Sequence, residues 1–111
     1  MLSEEVVKII EHTFRDITDI FKTKGKAYAN NEIDQLDNFK RLGKNLSLHP
    51  VIPLMVYTTK HWDSINNYIS CRIRKEESYD PEDIDGRIND VILYLILLKC
   101  LLEEERSPEN D

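Results

Sequence analysis

The sequence lacks a long apolar run and a surplus of positive charge. Its longest apolar stretch, residues 91–98, is too short to span a bilayer. Lys and Arg number 15 against 21 Asp and Glu, which gives a net charge of −6. Binding along a phosphate backbone needs a basic face. We therefore expect no membrane partner and no extended nucleic acid, although this charge does not exclude a small anion in a local basic pocket.

A secretion signal and a catalytic signature are also missing. Glu4 and Glu5 stand where a signal peptide carries positive charge, so we expect a cytoplasmic protein (in the host cytoplasm, if a phage encodes it). The sequence contains no Ser/His/Asp order, no phosphate-cradling glycine loop and no calcium-binding loop. Without these signatures the sequence gives only weak support for an enzyme. We expect no metal or cofactor.

Cysteine is scarce, and the two cysteines do not have the spacing of a zinc site. If residues 50–70 and 82–104 form a helical hairpin, Cys71 lies near its closed end and Cys100 about 27 Å along the second helix. A disulfide needs Cα atoms within about 7 Å. We therefore predict two reduced thiols, with Cys100 buried and Cys71 peripheral.

A chain of 111 residues is one domain by length, with room for a modest core. Apolar residues recur at helical spacing, and we find no convincing strand. The prediction is an all-α, four-helix bundle-like single domain over residues 1–106, with a disordered tail over 107–111. The helices are expected from Ser3 to about residue 24 (ended by Gly25), from 33 to 45, from Pro50 to about 70, and from 82 to 104, after an Asp80 cap and Pro81.

The apolar spacing also predicts which helix faces form the core. Trp62 is interpreted as a core residue first and as a stacking platform second. The third helix is expected to bury Val51, Met55, Thr58, Trp62, Ile65 and Ile69, and the last helix Ile84, Ile88, Val91, Ile92, Leu95, Leu98 and Leu102.

The first helix is apolar on more than one face, which a small domain has little room to bury. The residues concerned are Val6, Val7, Ile9, Ile10, Ile17, Ile20 and Phe21. We therefore predict a homodimer or higher homo-oligomer, formed partly through this helix.

Two predicted helices each carry a polar stripe, at spacings of three and four residues that place its members on one face. The stripes are Lys60, Asp63 and Asn67 on the third helix, and Arg87, Asp90 and Tyr94 on the fourth. Counted from the closed end of the hairpin, their heights overlap. The two faces could therefore meet, with cations and anions interleaved.

This polar constellation has two interpretations. In the structural one, Lys60–Asp90 and Asp63–Arg87 are interhelical salt bridges. In the functional one, the same residues shape a ligand pocket. His61 alone is more often a packed or surface histidine than a ligand or a base.

Four short motifs occur in order along the chain. They are Lys24-Gly25-x-x-Tyr28, Leu36-x-Asn38-Phe39-Lys40-Arg41, Lys60-His61-Trp62-Asp63-x-Ile65 and Gly86-Arg87-Ile88-x-Asp90-x-x-x-Tyr94-Leu95. Over most of residues 14–102 the chain resembles the nucleotide modification associated domain proteins, small proteins that bacteriophages often encode. More distantly it resembles the all-α MazG-like nucleoside triphosphate pyrophosphohydrolases. The resemblance implies a helical fold that handles a nucleotide or a nucleotide-derived ligand.

The chain departs from the pyrophosphohydrolase pattern at the metal site. That pattern has Glu-x-x-Glu on one helix and Glu-x-x-Asp on a later one, whereas here Lys60-x-x-Asp63 and Arg87-x-x-Asp90 occupy the places. A cation cannot ligate magnesium, but it can neutralise a phosphate directly. This favours binding without turnover.

The expected function is sequestration of a nucleotide or a cyclic-nucleotide immune signal. In this hypothesis Lys60 and Arg87 hold phosphate, His61 and Asn38 donate or accept hydrogen bonds, Tyr28 or Tyr94 stacks, Asp63 and Asp90 orient the cations, and Lys24 and Lys40 complete the site from beside the loop. One alternative is a magnesium-dependent MazG-like pyrophosphohydrolase. The other is a protein-interaction module that inhibits a host defence protein.

Overall fold

A computed structural model describes residues 1–28, 36–76 and 84–107, and the side chains of residues 24–28 are outside this description. Its helices are α1 (Ser3–Tyr28), α2 (Asp37–Leu46), α3 (Val51–Arg74) and α4 (Ile84–Arg106). The described residues contain no strand, so the all-α, four-helix prediction is confirmed. By their internal contacts the helices form two units, residues 1–34 with α1 and residues 35–111 with the other three.

In the first unit, α1 is longer than predicted. It continues to Tyr28, so the expected end at Gly25 is wrong. A helical glycine costs only about 1 kcal/mol relative to alanine, and no proline follows to stop the helix. At its start the Leu2 N–H donates to Glu5 Oε2 at 2.7 Å. Several apolar side chains stay exposed, namely Val6, Val7, Ile9, Ile10, Phe14 and Ile20; association through α1 stays a prediction.

In the second unit, α2 ends in a tight reversal. Its predicted start at residue 33 lies outside the described residues, and its last residue is Leu46. Ser47 adopts the left-handed conformation (φ 58°), and its N–H donates to the Lys44 carbonyl at 3.2 Å. The next N–H, of Leu48, donates to the Gly43 carbonyl at 2.7 Å. This pair of bonds is a Schellman motif, which satisfies the last carbonyls of the helix.

Gly43 makes this reversal possible. A Cβ at residue 43 would lie 2.6 Å from the Leu48 carbonyl oxygen and 3.1 Å from the Pro50 nitrogen. Both are backbone atoms, which cannot move aside as the end of a flexible side chain can. Glycine is therefore needed here for close approach of the backbone. At Gly86, by contrast, no heavy atom lies within 4 Å of the added Cβ.

We expect Gly43→Ala to lower the free energy of unfolding by about 1–3 kcal/mol, because the overpacking exceeds the gain of up to about 1 kcal/mol in helix propensity. Gly86→Ala is the matched control, and it should leave stability unchanged or raise it. Urea unfolding followed by circular dichroism measures both. Equal stability of the two variants would contradict the close approach.

α3 begins at Val51, one residue after its predicted start at Pro50. His49 contacts both the start of α3 and the end of α4. The Val51 N–H donates to His49 Nδ1 at 3.0 Å, while His49 Nε2 contacts Glu105 Oε1 of α4 at 2.6 Å. α3 continues to Arg74, past its predicted end, and closes in a second Schellman motif with Lys75 at φ 59°. The predicted Asp80 cap and Pro81 start of α4 lie outside the described residues, as does most of the predicted tail.

The core of this unit matches the predicted helix faces in part, since Val51 and Leu98 pack against its centre as predicted. Its centre is Leu36, Phe39, Leu54 and Leu101, with Val51, Tyr94, Leu97 and Leu98 packed against it. Thr58 and Val91 are buried as expected. Met55, Trp62 and Ile69 of α3, and Ile88, Leu95 and Leu102 of α4, are exposed, so their assignment to the core is wrong. Both helices are apolar around much of their circumference, and a neighbouring stripe forms the core instead.

The two cysteines are free, as predicted, but their environments are exchanged. Cys71 is 3% exposed, and its Sγ lies 3.9 Å from Asn67 Oδ1. Cys100 is exposed, beside Lys99 and Glu103 on the outer side of α4. α3 extends beyond the predicted hairpin end, so that Cys71 is covered rather than peripheral.

We expect one thiol of the native protein to react quickly with a disulfide reagent and the second only after unfolding, because reaction requires access to the thiolate. Cys100→Ser should remove the fast phase and Cys71→Ser should leave it. The absorbance of the released thiol measures the two phases. A fast phase that persists in Cys100→Ser would contradict the burial of Cys71.

Candidate functional site

His61 of α3 lies between two charged side chains of α4. Its Nδ1 is 3.0 Å from Arg87 Nη1 and 3.6 Å from Asp90 Oδ2. The His61 side chain is 15% exposed and that of Asp90 is 34% exposed. Arg87 and Asp90 are three residues apart on α4, which places both on the face toward α3. The structure therefore brings together three of the predicted site residues at the α3–α4 interface.

The contact between Arg87 and His61 depends on the tautomer of the imidazole. A guanidinium has only donors, so Arg87 donates and His61 Nδ1 accepts. The tautomer with its hydrogen on Nε2 leaves Nδ1 able to accept this bond. Asp90 is 3.6 Å from the same nitrogen and would accept a hydrogen bond if Nδ1 carried a proton. Arg87 and Asp90 thus compete for one imidazole atom.

Aromatic rings from all three helices support His61. Tyr94 of α4 stacks with His61 at a centroid distance of 5.3 Å and with Tyr57 at 6.3 Å. Phe39 of α2 meets Tyr57 and Tyr94 edge-on at 5.9 and 6.3 Å. Offset-stacked and edge-on pairs are the favoured geometries of aromatic contact. The ring partners of Tyr94 are thus side chains of α2 and α3, and its stacking against a ligand stays a prediction.

The same packing keeps the Tyr94 phenol neutral. Burial raises the pKa of Tyr94 above its ordinary value of 10.0, and the negative charge of Asp90 and the neighbouring Tyr57 raise it further. A raised pKa in the folded state stabilises the fold fully below the unfolded pKa of 10.0, and this contribution is lost as pH rises through the folded pKa. Near neutral pH the site therefore contains no phenolate.

We expect Tyr94→Phe to reduce the alkaline destabilisation of the protein, because the variant has no phenol to deprotonate at this buried position. Urea unfolding at about pH 8 and about pH 11 measures the difference. The stability lost between these pH values should be smaller in the variant than in the wild type. A loss of the same size in both would show that Tyr94 does not contribute to it.

Lys60 and Asp63 do not reach this cluster. Both are exposed and line an open cleft of α3 together with Met55 and Thr59. All the partners in the predicted bridges lie in the described part of the chain, and neither Lys60–Asp90 nor Asp63–Arg87 forms there. Lys60 was predicted to face α4, but His61, the next residue, faces it instead. Successive residues of a helix point about 100° apart, so Lys60 then faces away from Arg87 and Asp90.

The remaining predicted site residues are placed elsewhere or are not described. Lys40 Nζ binds Glu104 Oε1 of α4 at 2.8 Å. Asn38 Oδ1 accepts a hydrogen bond from Arg41 at 3.0 Å on the exposed side of α2. Lys24 and Tyr28 belong to α1, where the backbone alone is described. Their proposed contacts with a ligand stay predictions.

Sequence reasoning missed Tyr57 and His49. Tyr57 precedes His61 by four residues, a spacing that places both on one helix face and could have indicated the contact. His49 lies between the predicted second and third helices, and nothing in its local sequence indicates the contact with Glu105.

Comparison with models of protein families, with curated proteins and with solved structures finds no match to the chain. No helix within the described residues is long and apolar enough to cross a membrane. Over the same residues, no group of three or more His, Cys, Asp or Glu side chains is placed to hold a metal ion.

Proposed function

We propose that the chain binds a nucleotide, or a nucleotide-derived signal, and sequesters it without turnover. The observation that carries this proposal is the contact of Arg87 with an imidazole nitrogen that Asp90 also approaches. This contact places Arg87, a cation suited to binding phosphate, next to His61, whose ring nitrogen can change its hydrogen-bond partner. The sequestered ligand would be of the immune-signal class expected from the phage resemblance.

The charge at the site supports recognition of an anion. The guanidinium of Arg87 presents a fork of N–H donors that matches two phosphate oxygens. Tyr94 is a neutral phenol near neutral pH and adds no negative charge. Asp90 is the one carboxylate close to His61 among the described residues.

The shared imidazole nitrogen supports an exchange on binding. When a phosphate oxygen takes the Arg87 N–H group, His61 Nδ1 loses its donor. In its other tautomer the ring carries hydrogen on Nδ1 and can donate a hydrogen bond to Asp90, 3.6 Å away in the unliganded structure. Arg87 would then pair with the bound anion, and His61 with Asp90. No bond of the ligand is broken in this scheme.

We expect Arg87→Ala to weaken nucleotide binding about tenfold or more, because a charge-assisted hydrogen bond to phosphate is lost. Arg87→Lys should recover only part of the affinity, since an ammonium cannot form the bidentate contact. Arg72→Ala, at an exposed arginine of α3, is the matched control and should bind like the wild type. Calorimetry against mononucleotides, cyclic dinucleotides and ADP-ribose measures the affinities.

The same variants separate binding from a structural role. If Arg87 serves a ligand, Arg87→Ala should cost about 0–1 kcal/mol of stability, as for a partly exposed ion pair. A loss of about 3–5 kcal/mol, with no nucleotide binding to the wild type, would leave only a structural role for Arg87. Magnesium-dependent release of pyrophosphate from a nucleoside triphosphate would instead establish the pyrophosphohydrolase alternative.

A further inference from the structure

Aliphatic side chains of α2, of α3 and of the segment that joins them line a groove between the two helices. Its cavity volume is about 300 Å³, at the lower end of the range of roughly 300–1,000 Å³ that is usual for small-molecule sites. We call this cavity the α2–α3 groove. Its aliphatic lining is Leu42, Leu46, Leu48, Ile52, Pro53 and Val56.

Much of this lining is in contact with water. Leu46 and Val56 each keep 62% of their accessible surface, and Leu48 and Ile52 each keep 44%. Single exposed apolar residues are common on protein surfaces, but here the side chains converge on one cavity. An apolar group that fills the groove would remove this surface from water, which is favourable.

The α2–α3 groove has one charged side chain, and it lies at one end. Lys60 and Tyr57 supply the only polar side-chain groups of the lining, and Lys60 is its last α3 residue, about 12 Å along the helix from Ile52. Lys60 forms no ion pair with any described residue. Asp63, three residues further on, lines a neighbouring cleft of α3 but not the groove. An anionic group is therefore the electrostatic complement of this end.

The dimensions of the groove indicate what kind of molecule fills it. Spread over about 12 Å of helix, its volume gives a mean cross-section of about 25 Å². This admits one extended aliphatic chain but not a helix, which is about 10–12 Å wide with its side chains. If each non-hydrogen atom takes roughly the 30 Å³ of a water molecule, the groove holds about ten of them.

We infer that the α2–α3 groove binds a small amphiphilic anion, a medium-chain carboxylate whose tail lies between α2 and α3 and whose head group pairs with Lys60. A carboxylate of about eight carbons has the required ten non-hydrogen atoms. A charge-assisted hydrogen bond from Lys60 would determine which way the chain lies. The contact of His61 with Arg87 is at the α3–α4 interface instead, so this inference does not rest on the proposed nucleotide binding.

A series of straight-chain ligands tests the tail and the head group separately. Affinity should rise about two- to fourfold per methylene from butanoate to octanoate, because each methylene buries more apolar surface, and should level off beyond decanoate, when the groove is full. Octylammonium and octan-1-ol have the same tail but no anion for Lys60, and they should bind at least about tenfold more weakly than octanoate. Isothermal titration calorimetry of the full chain, at ligand concentrations too low for micelles, measures the affinities.

Two pairs of variants assign the binding to this groove. Lys60→Gln should weaken octanoate binding about tenfold and remove its advantage over octan-1-ol, whereas Lys99→Gln, at an exposed lysine of α4, should bind octanoate as the wild type does. Val56→Asp places an anion in the apolar lining and should abolish binding, and Ile69→Asp, at an exposed α3 residue outside the groove, is its control. All four side chains are exposed, so each variant should keep the circular dichroism spectrum of the wild type.

Failure of octanoate to bind the wild type saturably would overturn the inference. Octylammonium that binds as tightly as octanoate, or an unchanged affinity in Lys60→Gln, would overturn it as well, because Lys60 would then not hold the head group. An affinity that keeps rising through dodecanoate would show non-specific adsorption of the tail. A wild-type chain that binds no octanoate but self-associates, and loses this association in Val56→Asp, would show that a second copy covers the groove instead.

Discussion

The contact of Tyr94 with rings from two other helices is the constraint on which the second unit depends. Phe39, Tyr57 and His61 all contact or stack against this one side chain. The cluster adjoins the buried core around Leu54, so its position is set by close packing rather than by polar contacts. His61 is held at the interface because its ring is part of this stack. The position of the polar groups at the site is therefore determined by the packing of aromatic and apolar side chains.

The connection between α2 and α3 applies a second constraint. Gly43 allows the backbone of residues 48–50 to pass close to α2. His49 Nδ1 then accepts a hydrogen bond from the Val51 N–H, the first of α3. Its other nitrogen contacts Glu105 near the end of α4. The short segment of residues 47–50 therefore contacts all three helices of this unit. Side-chain hydrogen bonds at a helix start are individually modest, but they determine where the helix begins.

The polar residues of α3 lie on two different faces of the helix. His61 faces Arg87 and Asp90 across the α3–α4 interface, where the proposed function has His61 change its hydrogen-bond partner on anion binding. Lys60 and Asp63 are exposed on another face of α3, where they line an open cleft. The separation follows from a rotation of about 100° per residue.

The sequence by itself determined the all-α class, four helices, the free thiols and the common face of Arg87, Asp90 and Tyr94. These follow from local spacing and propensity. Only the tertiary structure decided which stripe of α3 is buried, because Met55, Trp62 and Ile69 satisfy the helical period as well as Leu54, Thr58 and His61 do. The choice depends on how side chains of neighbouring helices fit together, and periodicity carries no information about that fit. It also decided that His61, rather than Lys60, meets Arg87.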